Sequence, residues 1–430
     1  MRNLLKALLL VSIFSSCGPD KINIVDAVYI DSMINNYTQP TAIKDNESEM
    51  QFWLNRINPD NTGISNEIKY AALLVKRFQL TGDILSVIMA DSILKKVDVA
   101  YAHKEAAVVM ALFRNAILQH RFTEADSLLE AAKKTGIKPY ESLTSSFDIN
   151  FELGRNLMAG TVLKQMASDI DYGYQFRNAR QMHYNGDIDS SIAAMEKAVE
   201  LSEDNLFLKQ AALSNAADLC VHSGNIKKAY ALYLQSFKLN GADMHSIMGI
   251  GWISLVHDHN DPLAEKIFHF VHERTLLPDP LFKLVQLHMA TGDKIKATQF
   301  ALAYEQQVTK PIYGNMYNKY LIELYTGILN EPGKAEALAL KELNSRKTPQ
   351  TYAWYVRSLH SNKKTAGAAA IYKKYVSGKP LEGLELYWMG KLMLEMKKGY
   401  NAQQFFAAAY KNKYDLAPVD AAACKLAIAE

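Results

Sequence analysis

SGNIKKAYALY, residues 223–233, sets a turn, a small residue and a large residue at fixed offsets. Gly224 can end one helix in the left-handed conformation, and Asn225 can cap the next. Ala229 follows the glycine by five residues and Tyr233 comes four later, which places both on one face of the second helix. The turn recurs as Thr81-Gly82-Asp83, Asn185-Gly186-Asp187 and Thr291-Gly292-Asp293, with glycines 104, 38 and 68 residues apart. Those distances are close to three, one and two periods of about 34 residues. The repeating unit is helix, tight turn, helix.

The small position recurs beyond the glycines, at Val87, Ala125, Ala159, Ser191, Ala229, Ala264, Ala297, Ala337, Ala368 and Ala402, with a mean spacing of 35 residues. Antiparallel helices approach closely only where the contact side chain is small. Four residues later stand Leu129, Leu163, Met195, Tyr233, Phe268, Tyr372 and Phe406, while Asp91, Ala301 and Lys341 interrupt this second column. The spacing predicts an all-α chain, an α-solenoid of about ten helix-turn-helix units, each too small to be stable without its neighbours.

The fullest copy is Leu386-Tyr387-Trp388-Met389-Gly390-Lys391-Leu392-Met393, followed by Ala402, Phe406 and Ala409. With the 34-residue period, this resembles the tetratricopeptide repeat: a first large position, an apolar-Gly step, a second large position, then an Ala-aromatic-Ala series. The resemblance covers about residues 68–413. It implies a curved stack whose first helices line a concave groove. On the family's pattern, the groove positions fall on Lys76, Arg114, Phe176, Arg180, Tyr184, Phe282, Arg357, Tyr387 and Lys391. Basic groups beside aromatic faces suit a peptide's carboxylates or stacking against sugar rings. The family's clamp for chaperone tails is not reproduced.

The chain begins with a basic Arg2 and Lys6, an apolar run from Ala7 to Phe14, and Ser15-Ser16 before Cys17. The run is too short to span a bilayer and reads as an export signal over residues 1–16. Small residues before a lone cysteine resemble the lipobox of bacterial lipoproteins, which implies cleavage before Cys17 and acylation of its thiol and new amine; the alternative is an ordinary signal with an incidental cysteine. Gly18 after the cysteine implies an outer-membrane destination. Residues 17–67 read as a lipid-anchored tether with capping helices, one near Ile22 to Ile34, another near Glu47 to Ile57, then a turn over Asn58 to Gly63. Residues 68–416 are the solenoid, and 417–430 a closing helix.

Apolar residues make up 49% and charged ones 22% of 430, ordinary for a folded chain. The formal charge of +3 falls to +1 without Arg2 and Lys6, so nucleic acid is not an expected partner. From Lys341 onward 15 Lys/Arg face 7 Asp/Glu, which in a rod would make the end farthest from the lipid basic. Cys220 and Cys424 fall in apolar helical patterns as small core residues. Six of eleven histidines lie between His245 and His288. Glu265, His269 and His272 share one helix face, and the turn His257-Asp258-His259-Asn260-Asp261 is rich in possible ligands. His269 and His272 are thus the candidates for a metal or proton-sensitive site, against a reading of ordinary surface and helix-end histidines. No phosphate loop, nucleophile elbow or Cys-x-x-Cys motif occurs, so no enzyme activity and no cofactor is expected. The chain reads as a non-catalytic, lipid-anchored envelope scaffold that binds a protein or peptide partner, or alternatively as a glycan-binding lipoprotein serving an outer-membrane transporter.

Overall fold

The computed structural model describes residues 23–57, 64–396 and 401–429. The export signal, Cys17 and the Asn58–Gly63 turn lie outside them. The described residues contain 23 α-helices and no strand. Twenty of them form ten consecutive antiparallel pairs, which we number as units: 64–100, 106–135, 139–166, 172–200, 206–239, 244–272, 279–308, 318–345, 349–376 and 383–411. Helices Ala27–Asn35 and Thr41–Leu54 precede them, and Pro418–Ala429 follows. The chain is an α-solenoid.

The capping chemistry repeats with the units. Asp83, Asp187 and Asp293 cap the second helices of units 1, 4 and 7 through their carboxylates. The small residue sits four places inside the second helix. In units 1 to 9 it is Val87, Ala125, Ala159, Ser191, Ala229, Ala264, Ala297, Ala335 and Ala368, each with no exposed surface. Ser191 shows how near the helices come: its hydroxyl donates to the Ala179 carbonyl at 2.8 Å. Unit 8 corrects the expected column. Ala337 is exposed there, and Ala335 and Ala339 are the buried pair. That helix starts at Pro332, which fixes the phase two residues earlier. Lys341 therefore never occupied the large position.

The apolar-Gly step also has a packing reason. A Cβ on Gly390 would lie 2.8–3.0 Å from the Phe406 ring, and one on Gly251 would meet Ile267 and Phe268 at 2.8 Å. In units 6 and 10 the large column of the second helix presses on bare backbone of the first.

The expected curved rod is instead a tight coil whose successive turns touch, about six units apart. Between units 1 and 7, the Leu276 amide donates to the Thr81 carbonyl at 2.8 Å. The Thr123 hydroxyl of unit 2 donates to the Ser345 carbonyl of unit 8 at 3.4 Å. Glu152 of unit 3 pairs with Arg346, just before unit 9, at 3.3 Å. Gly82 has φ +74°, and a Cβ there would lie 2.6–2.7 Å from Leu277 and Thr275. The turn glycine that defines the repeat thus also admits the next coil.

The coil changes what lies at the ends. Thr41–Leu54 caps unit 1, with the buried Asn46 amide donating to the Leu73 carbonyl at 3.1 Å. Ala27–Asn35 crosses to the backs of units 5 and 6, where Ile30 and Ile34 join Ile267 and Phe270 in one core. Its leading amides, those of Ile24 and Val25, donate to the Asp258 carboxylate at 3.0 and 2.8 Å. The C-terminal unit returns to the same region, where Trp252 Nε1 donates to the Tyr414 carbonyl at 2.6 Å. The basic C-terminal stretch is therefore beside the N-terminal strap, not at a far end.

Candidate functional site

Coiling turns the groove into an axial space. One chamber, about 480 Å³, is walled chiefly by the first helices of units 4 to 8 and by residues 382–384, 415 and 417. A chamber of about 840 Å³ shares His183, His222, Lys319 and Glu382 with it. Another of about 200 Å³ shares Phe282, Gln286 and Glu323, and runs under the C-terminal helix.

Charged side chains lining this space fall into two groups. Most have a counter-ion within the chain. Arg180 donates to Glu152 at 2.7 Å and Asp148 at 3.3 Å, and its guanidinium lies 4.6 Å from the Phe151 ring centre. Lys319 stands 3.5 Å from both Glu382 and Glu385. Burial works against its charge, but those two carboxylates outweigh it and raise its pKa. Lys319 in turn draws the Glu382 carboxyl below its ordinary range. His245 lies 3.0 Å from Asp218, whose charge lifts the imidazole to about 9. The Tyr233 hydroxyl donates to the same carboxylate at 2.5 Å. His222 pairs with Asp415, which raises its pKa in spite of burial.

In the chamber of about 480 Å³ two charged side chains have none: Lys283 and Glu323 face it with no side-chain hydrogen bond or ion pair to any described residue. Lys283 rests its ammonium on the Trp252 ring, 3.5 Å from the centre. Burial pushes Lys283 down to about 8. Burial, with Asp420 adding to it, pushes Glu323 up to about 8.

The positions expected to line a groove divide. Arg180, Tyr184, Phe282, Arg357, Tyr387 and Lys391 face the axial chambers. Arg357 is occupied there by the Thr326 carbonyl at 2.8 Å, and Tyr387 by a hydrogen bond with Asp420 of the C-terminal helix. Phe176 packs on Tyr172 at the edge of the core of units 4 to 6. Lys76 is exposed, and Arg114 is an exposed ion-pair partner of Glu141. These three line none of the chambers described.

The histidine-rich stretch serves the fold. Among the described residues no three His, Cys, Asp or Glu side chains stand together in a way that could hold a metal ion. His272 is exposed, His269 packs on Phe300, and His288 is buried and stacked on the same ring at 5.3 Å. Asp258 holds the N-terminal strap and Asn260 caps the next helix. Cys220 and Cys424 are buried free thiols.

Sequence reading missed Lys283, Glu323, Lys319 and Trp252. The available signal was a pair of charges four residues apart in an otherwise apolar first helix, Asp279 and Lys283 in DPLFKLVQLHMA (279–290) and Lys319 and Glu323 in NKYLIELYT (318–326).

No family model matches the chain, and no curated protein does. Among solved structures it is similar to a tetratricopeptide repeat protein from Parabacteroides merdae, at 14% identity over 60% of this chain and 97% of that one, with a TM-score of 0.35. Yeast Tom70 gives 12% identity over 93% and 96%, with a TM-score of 0.36. The Cut9–Hcn1 hetero-tetramer of the APC/C gives 10% over 94% and 96%, with a TM-score of 0.33. At such scores the likeness adds nothing to the fold, which stands on the ten packed pairs. Among the described residues, no helix is long and apolar enough to cross a membrane.

Proposed function

We propose that this chain is a non-catalytic scaffold, anchored by lipid on Cys17 in the cell envelope at the outer membrane, that receives a segment of a protein or peptide partner in its axial space. The observation carrying this reading is that charged and aromatic side chains of eight successive first helices, units 3 to 10, line chambers of ligand-site size, among them Arg180, Tyr184 and Lys391.

The anchor and the strap act together in this reading. Ile24 is bound by Asp258, seven residues after Cys17, a reach of at most about 25 Å. Acylated Cys17 therefore holds units 5 and 6 next to the bilayer. Two experiments test the proposal. Cys17→Ala should release the protein from the membrane fraction; unchanged retention refutes the anchor. A photo-crosslinking residue at position 184 should capture a discrete partner in native cells that the same residue at exposed position 76 does not. Identical capture at both refutes the axial site.

A further inference from the structure

We propose that the chamber of about 480 Å³ is a binding site for a zwitterionic small molecule of the amino-acid type, its carboxylate held by Lys283 and its ammonium by Glu323. The proposal goes beyond the scaffold reading and does not depend on a protein partner.

The argument is one of charge left over. Arg180, Lys319, His245 and His222 already have carboxylate partners within the chain. Lys283 and Glu323 alone among the chamber's charged side chains have neither an ion pair nor a hydrogen bond with described residues. Both are half-buried, and an ionisable group partly withdrawn from water without a partner is costly unless something else satisfies it. A ligand of one sign would satisfy one group and leave the other stranded. A molecule carrying both signs satisfies both. The chamber of about 480 Å³ has room for such a molecule, and Trp252, Phe282 and Tyr320 offer apolar faces for its side chain.

Proton balance follows. Glu323 faces Lys319 on its own helix, Lys283 on unit 7, Glu385 on unit 10 and Asp420 on the C-terminal helix. Lys283 faces Asp279 on its own helix, together with Glu323, Asp415 and Asp218. Without ligand near neutral pH, Glu323 carries its proton and Lys283 is mostly charged. When an ammonium arrives, Glu323 gives that proton to solvent and its carboxylate takes the new ion pair. Binding therefore strengthens from pH 6 towards pH 8 and weakens above, as Lys283 discharges.

The test is isothermal titration calorimetry on the full chain with free amino acids and dipeptides, at pH 7 in two buffers of different ionisation enthalpy. At least one zwitterion should bind at sub-millimolar concentration and release protons. Its N-acetyl form and its methyl ester, each with one charge, should bind at least tenfold more weakly. Binding confined to free amino acids, or shared with dipeptides, distinguishes the two sources of the same chemistry. Lys283→Met and Glu323→Gln should each lose tenfold or more in affinity with no fall in Tm, which separates lost recognition from lost folding. Absence of binding by every zwitterion at millimolar concentration overturns the proposal, as does equal binding of the singly charged forms. Partner capture at position 184, measured in the same variants, reports on the scaffold reading separately.

Discussion

Two surfaces of the same first helices behave in opposite ways. The face towards the paired helix is small, apolar and closed: Gly390 lies under Phe406, Gly251 under Phe268, and the small residue that the second helix of units 1 to 9 brings against it has no exposed surface. The face towards the axis is large, charged and partly open, and at Lys283 and Glu323 it is left unpaired. The first surface is where stability is made, by burial and close packing. The second holds groups that stability alone would not select.

The contrast can be broken most forcefully at the seam. Phe268→Ala empties a fully buried site and should cost about 3–5 kcal/mol, read by urea unfolding followed by circular dichroism. A loss below about 1 kcal/mol would mean that the seam does not hold the units. On the axis, Lys319→Met leaves the fully buried Glu385 with its hydrogen bond from Trp354 but no cation, and should cost about 3 kcal/mol, the lower end of what a broken buried pair loses. Lys283→Met and Glu323→Gln, on the same wall, should leave stability unchanged or raise it. If all three axial variants were equally destabilised, paired and unpaired charges would not differ. Gly390→Leu forces a side chain against Phe406 and should cost about 1–3 kcal/mol.

The smallest effect is one of pH. Asp218 raises His245 to about 9, so this pair stabilises the fold fully below the ordinary histidine range. That contribution fades as pH rises from about 6.5 to 9. The His245 side chain is 53% exposed, so solvent screening holds the effect to about 1 kcal/mol or less. Asp218→Asn should flatten this part of the stability–pH curve in thermal melts, and an unchanged curve would place its origin elsewhere.

The seam was legible in the sequence and the axis was not, for a physical reason. Close packing demands a small residue at one place in each pair, so Ala125, Ala229 and Ala264 recur in phase and announce themselves. Only where a helix starts out of register does the count slip, as Pro332 makes it do at Ala335. Axial residues have no such demand in common. Each first helix contributes something different, such as His245, Lys283 or Lys319, and what brings them together is the coil. The coil depends on contacts six units apart, between Thr81 and Leu276 or Glu152 and Arg346, which no local period encodes. Lys76 and Arg114 hold groove positions of the repeat in units 1 and 2, but the chambers are lined by the first helices of units 3 to 10. The same coiling explains how an acidic, histidine-rich turn became a latch for the N-terminus through Asp258.

Everything functional above depends on that closure, and small-angle scattering on the soluble Cys17→Ala chain tests it directly. A coil whose turns touch should have a radius of gyration of about 22–25 Å, near that of a compact protein of this length. A value above about 35 Å, tending towards the roughly 50 Å of twenty helices stacked about 9 Å apart in an open rod, would contradict it.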